Sequence, residues 1–218
     1  MAVHRLKNQR STGLRQARGE GLAEARLSVE RWALKIGIYG GSFDPIHHGH
    51  LVLARDAMEQ LGLEKVIFIP AAVSPLKKKP PLSSGEMRLA MLRAAIEGEM
   101  EFSVDDCELR RLPPSYTIDT VSDIRRREPA AEIFCLIGDD NIRDLHKWHR
   151  FAELEKLVRF AVLGRTGKQV THSYPLIQRR IDISATEIRK RVASGKSIRY
   201  LVPQTVEEII CREKLYLE

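Results

Sequence analysis

From residue 35 onward the sequence alternates short apolar runs with segments of helical character, and this alternation limits the chain to few folds. The first run, Lys35–Tyr39, is rich in β-forming residues and leads directly into two glycines. His48–Leu61 then has the pattern of a helix that ends near Gly62. Apolar strands that alternate with helices indicate a parallel sheet with helices on both faces. The sequence therefore predicts an α/β domain with a doubly wound parallel sheet.

The same pattern continues toward the C-terminus. Further strands are predicted at Val66–Ile69, Glu101–Asp105, Glu132–Ile137 and Arg159–Leu163, and further helices at Ser83–Ile96, Ile118–Arg127, Phe151–Leu157, Thr186–Ala193 and Val206–Glu213. Ser83 precedes Glu86 by three residues, which is the spacing of a capping box, so the second helix is expected to begin at Ser83. The last two helices give the domain a helical C-terminal portion.

Composition excludes several classes of protein. Of the 218 residues, 43% are hydrophobic and 30% are charged, which excludes a mostly disordered or collagen-like chain. The longest apolar run, Ile67–Val73, is far shorter than the roughly 20 residues that a membrane span needs. Cys107, Cys135 and Cys211 stand at no metal-ligand spacing, which is typical of a reducing compartment. No membrane partner is expected, and the expected location is cytoplasmic.

Residues 1–34 form a basic N-terminal extension that precedes the predicted domain at 35–218. They hold seven Lys or Arg and three Glu, and so carry +4 of the net charge of +7. Apolar residues at helical spacing predict a short amphipathic helix in 21–34: Leu22, Ala25, Val29 and Trp32. The extension is either a solvated leader or an arm that binds nucleic acid. The three glutamates argue against a transit peptide, and the lack of an apolar stretch argues against a secretory signal.

The block Gly40–His50, with the sequence GGSFDPIHHGH, joins the first strand to the first helix. Its two leading glycines permit close approach of the backbone to a ligand, and the helix directs unpaired N–H groups toward the same point. This arrangement predicts a phosphate site. His47 and His50 are expected to share one face, with Gly49 leaving room between them for a bulky ligand. Imidazoles placed there can donate hydrogen bonds to phosphoryl oxygens and stabilise developing charge.

These histidines alone would also suit a metal site or a surface cluster, but the strand before them and the helix after them favour a nucleotide site. In this context GSFDPIHHGH is similar to the bacterial nicotinate-nucleotide adenylyltransferases, members of the H-x-G-H nucleotidylyltransferase superfamily. The resemblance implies a Rossmann-like nucleotidylyltransferase fold in which His47 and His50 contact ATP phosphates. The related phosphopantetheine adenylyltransferases typically have Thr at the position of His47, which favours the nicotinate family.

A second block, PSYTIDT at residues 114–120, resembles the stretch that the nicotinate enzymes place beside the mononucleotide. The resemblance implies that Ser115, Tyr116 and Thr117 contact the substrate. Hydroxyl side chains at this position usually cap a helix, so Ser115 or Thr117 is also expected to cap the helix that follows. Backbone N–H groups with Thr117 at a helix N-terminus would suit the carboxylate of a nicotinate ring.

A third block follows the strand Glu132–Ile137. Gly138 and Asp140 match the Gly-x-Asp of the family, and an acidic residue just after a strand suits ribose hydroxyls, so Asp140 is expected to contact the ribose of ATP. Trp148 lies further along. The resemblance implies that Trp148 flanks the pyridine ring, whereas ordinary core packing is the alternative for this side chain.

A fourth block, ISATEIR at residues 183–189, opens a helix and contains Ser184 and Glu187 at capping-box spacing. The family has I-S-S-T-x-I-R here and uses it to hold the outgoing phosphates, which implies that Ser184, Thr186 and Arg189 contact ATP. Ala185 stands in place of the second Ser. In the Pro- and Lys-rich loop from Pro70 to Pro81, Lys77 is the best match to a basic P-H-K element, although Leu76 stands where His is common.

The resemblance implies that the chain transfers the adenylyl group of ATP to nicotinate mononucleotide, forming nicotinate adenine dinucleotide and pyrophosphate. Mg²⁺ is expected to enter with ATP and to keep most of its waters, without dedicated protein ligands. The implied site residues are His47, His50 and Arg189 in catalysis; Gly40, Gly41, Ser42, Phe43, Gly49, Gly138, Asp140, Ser184 and Thr186 at ATP; and Lys77, Ser115, Tyr116, Thr117 and Trp148 at the substrate. Two alternatives remain: an adenylyltransferase of the same fold acting on nicotinamide mononucleotide or phosphopantetheine, and a non-catalytic nucleotide- or RNA-binding module.

Overall fold

The structure of the protein, a computed structural model, describes residues 33–72, 80–112, 114–165 and 172–217. Residues 21–32 of the predicted leader helix lie outside the described residues, and so does Lys77. The fold and the site are built from the four described ranges.

One sheet of six parallel strands forms the centre of the described domain, in the spatial order β3-β2-β1-β4-β5-β6. The strands are β1 Lys35–Gly41, β2 Lys65–Pro70, β3 Phe102–Val104, β4 Glu132–Gly138, β5 Arg159–Gly164 and β6 Leu176–Gln178. The chain moves outward from β1 to β3, returns to the centre at β4, and then moves outward in the other direction. The predicted doubly wound sheet is confirmed, and its strand order reverses between β1 and β4, where such folds bind ligands.

Helices pack on both faces of the sheet. They are α1 His48–Leu61, α2 Gly85–Ala95, α3 Cys107–Arg110, α4 Thr117–Arg127, α5 Phe151–Leu157, α6 Ala185–Ala193 and α7 Gln204–Arg212, with a 3₁₀ helix at Asp139–Lys147. The sequence pattern predicted neither α3, nor the 3₁₀ helix, nor β6.

Two hydrophobic cores lie on opposite faces of the sheet because side chains alternate along each strand. Ile36 and Ile38 of β1 belong to the core formed with α4 and α5. Tyr39 belongs to the other core, formed with α1, α2, α6 and α7. Since both faces of the central strands are buried, those strands are almost continuously apolar in sequence, which explains why they were predictable.

The ends of α1 and α2 show one correct prediction and one wrong one. Gly62 ends α1 in the left-handed conformation, with φ of 64°, and its N–H donates to the Met58 carbonyl, as the predicted helix end requires. The N-cap of α2 is Ser84, whose hydroxyl accepts a hydrogen bond from Met87 N at 3.2 Å. The predicted capping box at Ser83 is therefore wrong, because the Ser83 hydroxyl donates instead to Tyr216 at 2.7 Å.

Candidate active site

A cavity of about 930 Å³ lies at the carboxyl ends of β1 and β4, where the strand order reverses. Residues from all four sequence blocks line it. The predicted site residues in its lining are Gly40, Gly41, Ser42, Phe43, His47, His50, Ser115, Tyr116, Thr117, Gly138, Asp140, Trp148, Ser184, Thr186 and Arg189. Gly49 is the one described member of the predicted set that does not line the cavity.

The turn after β1 depends on how Phe43 folds back. Phe43 adopts a left-handed backbone with φ of 46°, and its buried ring covers Gly41, where an added Cβ would lie 2.9 Å from the ring. At Gly40 an added Cβ would meet no atom within 4 Å. Gly41 is therefore required by protein packing, whereas the bare backbone of Gly40 borders open space that a ligand can occupy.

His47 and His50 form a stacked pair, with ring centroids 3.7 Å apart and an angle of 27° between the planes. The backbone N–H of His47 donates to Nδ1 of His50 at 3.3 Å. Because Nδ1 accepts, the proton of neutral His50 lies on Nε2, which is its remaining donor. The expected room for a ligand between the rings is wrong: an added Cβ on Gly49 would lie 3.0 Å from the His47 ring, so the glycine accommodates that ring.

His47 is fully buried and neutral. Burial, supported by the positive charge of Arg165, lowers the pKa of His47 from 6.5 to about 3. Within the described part of the chain, neither of its ring nitrogens has a hydrogen-bond partner. A buried polar group of this kind at the wall of a cavity is a candidate for contact with a bound molecule.

The N-terminus of α6 and the side chain of Arg189 converge on the same part of the cavity. Ser184 caps α6, as predicted, because its hydroxyl accepts from Glu187 N at 3.1 Å. Arg189 donates from Nη1 to the Asp44 carbonyl at 2.6 Å and from Nη2 to Thr186 Oγ1 at 3.3 Å. A fixed guanidinium beside a helix N-terminus is suited to phosphate groups.

Two carboxylates, Asp139 and Asp140, follow β4, and Asp140 lines the cavity. Gly138 lies directly under the Asp140 carboxylate, and an added Cβ there would force this exposed side chain to shift. Arg165, which follows β5, lies 3.9 Å from Asp140 Oδ1 through Nη2, and its backbone N–H donates to Asp139 Oδ2 at 3.4 Å. The Asp140 side chain is largely exposed and so remains accessible to a ligand hydroxyl.

The PSYT segment places the start of α4 at the cavity. Tyr116 is the N-cap of α4 and makes no side-chain cap hydrogen bond, so the expectation that Ser115 or Thr117 caps this helix is wrong. Ser115 is buried, and its hydroxyl accepts from Arg111 Nη1 at 3.3 Å. The Asp119 N–H donates to the Tyr116 carbonyl at 3.0 Å, whereas the N–H groups of Thr117 and Ile118 have no side-chain cap among the described residues and can donate to a ligand.

Three rings line the cavity beyond this helix. Tyr116 and His149 stack with centroids 4.1 Å apart. Trp148 is half-buried and packs edge-on against Phe160, with centroids 6.3 Å apart. Trp148 thus makes the core contact that was the alternative interpretation while still forming part of the cavity wall.

Comparison with known proteins identifies the family. A sequence profile of the cytidylyltransferase-like family matches residues 38–191. A probable nicotinate-nucleotide adenylyltransferase of Methylacidiphilum infernorum is 40% identical over 190 residues, which cover 85% of this chain and 93% of that protein. A probable nicotinate-nucleotide adenylyltransferase of Opitutus terrae is 42% identical over 191 residues, covering 84% and 98%. The chain belongs to the nicotinate-nucleotide adenylyltransferase family.

The fold of this adenylyltransferase family member agrees with a solved structure. The nicotinic acid mononucleotide adenylyltransferase of Plasmodium falciparum, complexed with NaAD, superposes with a TM-score of 0.69 over 85% of this chain and 100% of that one. The two chains are 23% identical, so this likeness concerns the fold. The family resemblance and the Rossmann-like nucleotidylyltransferase fold predicted from GSFDPIHHGH are confirmed.

The adenylyltransferase cavity also holds residues that sequence reasoning missed, among them Arg165, Glu108 and Thr120. Glu108 accepts a hydrogen bond from Thr120 Oγ1 at 3.0 Å, and Arg111 Nη1 donates to the same hydroxyl at 2.8 Å. Burial raises the pKa of Glu108, against the opposing effects of Thr120 and Arg111. Glu108 on α3 and Arg111 directly after it, an acid and a base three residues apart just before the PSYT segment, were the available signal for this network.

The four described ranges of the adenylyltransferase contain neither a metal-ligand cluster nor a membrane-spanning helix. No three His, Cys, Asp or Glu side chains come together there in a way that could hold a metal ion. No helix in those ranges is long and apolar enough to cross a membrane. Cys107 and Cys135 are buried and Cys211 is exposed, all as free thiols.

Proposed function

We propose that the protein transfers the adenylyl group of ATP to nicotinate mononucleotide, giving nicotinate adenine dinucleotide and pyrophosphate. The observation that carries the proposal is that one cavity at the reversal point of the sheet collects four blocks distant in sequence: the glycine turn with the histidine pair, the SYT segment, the Gly138–Asp140 segment and the start of α6. Relatives that are about 40% identical and bear the name of this activity support it.

The triphosphate of ATP is proposed to lie between the histidine pair and α6. Arg189 supplies a permanent positive charge, the α6 N-terminus supplies backbone donors near Ser184, and His50 supplies the Nε2 donor. Gly40 and Gly41, with Ser42 and Phe43, form the wall against which the phosphates approach. The exposed Asp140 carboxylate, also in the cavity lining, would accept hydrogen bonds from the ribose hydroxyls of ATP.

Nicotinate mononucleotide is proposed to bind at the start of α4. The uncapped N–H groups there, beside Thr117, are donors suited to the ring carboxylate. Tyr116 and Trp148 offer aromatic surfaces for the pyridine ring. Ser115 supports the segment through Arg111, and Lys77, outside the described residues, keeps its proposed role at the substrate.

The chemistry needs no covalent nucleophile. A phosphate oxygen of the mononucleotide attacks the α-phosphorus of ATP, a new P–O bond forms, and the bond to the bridging oxygen breaks so that pyrophosphate leaves with the electron pair. Because both reactants are anionic, the acceleration comes from positioning and charge neutralisation. Mg²⁺ enters with ATP as part of the substrate and neutralises phosphate charge. The proposed setting is the cytoplasm, with ATP and the mononucleotide as partners.

Product identification tests this proposal. The protein is incubated with Mg-ATP and, separately, nicotinate mononucleotide, nicotinamide mononucleotide or phosphopantetheine, and both pyrophosphate release and the mass of the adenylylated product are measured. We expect nicotinate adenine dinucleotide with equimolar pyrophosphate, and little product from Arg189→Ala. Preferential adenylylation of phosphopantetheine, or ATP binding without turnover of any acceptor, would favour the alternative functions.

A further inference from the structure

Tyr216, at the C-terminal end of the described chain, reaches the turn that carries the histidine motif. Its hydroxyl donates to Asp44 Oδ1 at 2.8 Å and accepts from Ser83 Oγ at 2.7 Å. All three residues are nearly removed from solvent, since Asp44 is 4% exposed, Ser83 8% and Tyr216 9%. Burial, together with the nearby Asp44 carboxylate, raises the pKa of Tyr216 and keeps the hydroxyl protonated as a donor.

Asp44 collects hydrogen bonds from two separate parts of the chain. Besides Tyr216, its carboxylate accepts from Leu82 N at 2.7 Å and from Ser83 N at 3.2 Å. A carboxylate in a site of low dielectric is held strongly by donors of this kind. The position of Asp44 is therefore set by the segment before α2 and by the segment after α7.

The backbone of Asp44 connects this buried network to the phosphate half of the cavity. Its carbonyl accepts from Arg189 Nη1 at 2.6 Å. The preceding turn is held from the other side by buried Arg88, which donates to the Ser42 carbonyl at 2.9 Å. Tyr216 does not line the cavity, so its influence on a bound nucleotide passes through Asp44.

From this geometry we infer that Tyr216 is a positioning residue for the phosphate half of the active site, because through Asp44 it sets the carbonyl that orients the Arg189 guanidinium. The inference rests on the proposed function, in which Arg189 contacts the phosphates of ATP. It assigns a role in catalysis to a side chain 172 residues away from Asp44 in sequence.

Steady-state kinetics of Tyr216→Phe test the inference, since this change removes the hydroxyl and keeps the ring. We expect kcat/KM for ATP to fall about tenfold or more, because small displacements of a positioning group are costly, while KM for the acceptor stays unchanged. Tyr200→Phe is the matched control: Tyr200 is 77% exposed, its ring lies under the Arg199 guanidinium outside the cavity, and its variant should match the wild type. Normal ATP kinetics in Tyr216→Phe would overturn the inference.

A double-mutant cycle separates positioning from general destabilisation. In an Arg189→Ala background, Tyr216→Phe should change kcat/KM for ATP by less than about twofold, because the group that it positions is gone. An equal fold-loss in both backgrounds would show that Tyr216 does not act through Arg189. If Tyr216→Phe does not fold, Ser83→Ala is used instead, because it removes only the hydroxyl that donates to Tyr216. The inference then requires that kcat/KM for ATP falls while KM for the acceptor stays unchanged.

Binding of a non-hydrolysable ATP analogue, measured by calorimetry well below the unfolding temperature, distinguishes a failure of the inference from a failure of the proposed function. The inference predicts weaker binding to Tyr216→Phe than to the wild type, whatever the acceptor. A wild type that binds the analogue but adenylylates no acceptor would contradict the proposed function, and the difference in affinity would still test the inference. Equal affinities of the two proteins would overturn it.

Discussion

The ring of His47 stacks on the ring of His50 at 3.7 Å, while the His47 backbone N–H donates to His50 Nδ1 at 3.3 Å. These contacts make the two histidines unequal. His47 is buried and neutral at the start of α1, whereas His50 is half-buried and its Nδ1 accepts a hydrogen bond. The pair is therefore one preorganised unit in which His47 supports the ring that is proposed to donate to the phosphates.

We expect His50→Ala to reduce kcat far more than it weakens ATP binding, since a donor aimed at developing charge acts mainly in the transition state. Comparable donors contribute about 2.7–4 kcal/mol, or about 100- to 1000-fold in rate. His48→Ala is the matched control, because His48 lies in the same helical turn outside the cavity lining. Activity of His50→Ala within a few-fold of the wild type would remove His50 from the mechanism.

His47 should give the protein a defined loss of stability in mild acid. Its pKa is 6.5 when unfolded and about 3 when folded, so protons bind preferentially to the unfolded chain. The stabilisation is complete above pH 6.5 and is lost as the pH falls toward 3. Between pH 7 and pH 5 this one group should lower the free energy of unfolding by about 2 kcal/mol.

Chemical denaturation at the two pH values measures this effect in the wild type and in His47→Asn. The variant should lose about 2 kcal/mol less than the wild type over the same interval. Equal losses in the wild type and His47→Asn would show that His47 does not titrate as described.

The two adjacent glycines of the turn should respond differently to alanine. Gly40→Ala adds a Cβ with no atom within 4 Å, so stability should hold while KM for ATP rises as the methyl enters the space proposed for phosphates. Gly41→Ala places a Cβ 2.9 Å from the Phe43 ring and should cost about 1–3 kcal/mol of stability. Thermal unfolding together with ATP kinetics checks both, and unchanged ATP kinetics in Gly40→Ala would contradict the proposed phosphate path.

Much of the fold was predictable because buried strands and helix ends have recognisable local sequence patterns. The central strands are apolar along their length since both faces are covered, and Gly62 marks the end of α1 by its left-handed conformation. β6 was missed because only Ile177 of its three residues is buried. The 3₁₀ helix was missed for a similar reason, since Leu145 is its single buried residue.

Other errors arose where distant residues decide a local choice. Ser83, and not the adjacent Ser84, has a Glu three residues later, but hydrogen bonds to Asp44 and Tyr216 hold Ser83 in the core and leave Ser84 as the cap. Arg165 belongs to the cavity only because β5 ends beside β4, and no local pattern marks it. The four motif blocks were enough to predict most of the cavity lining. The side chains that support these blocks could be identified only in the tertiary structure.

Deletion of residues 1–32 should leave adenylyl transfer nearly intact. Ala33–Glu218 form one compact unit, and the Leu34 carbonyl, which the deletion keeps, accepts from Glu132 N at 2.8 Å. If the leader is a nucleic-acid arm, full-length protein should bind RNA or DNA with strong salt dependence, and the shortened chain should not. Fluorescence polarisation at two salt concentrations measures this, and loss of folding on truncation would show that leader residues pack on the domain.

The acceptor preference tests the central claim most directly. A nicotinamide ring would present an NH₂ group to the donors at the start of α4 and leave at least one buried group unpaired, at a cost of about 1–3 kcal/mol. This cost corresponds to a preference of about 5- to 150-fold for the acid in kcat/KM. The measurement is kcat/KM for nicotinate mononucleotide and for nicotinamide mononucleotide under saturating Mg-ATP. We expect the acid to be preferred within that range, and equal efficiency or a preference for the amide would contradict the assignment.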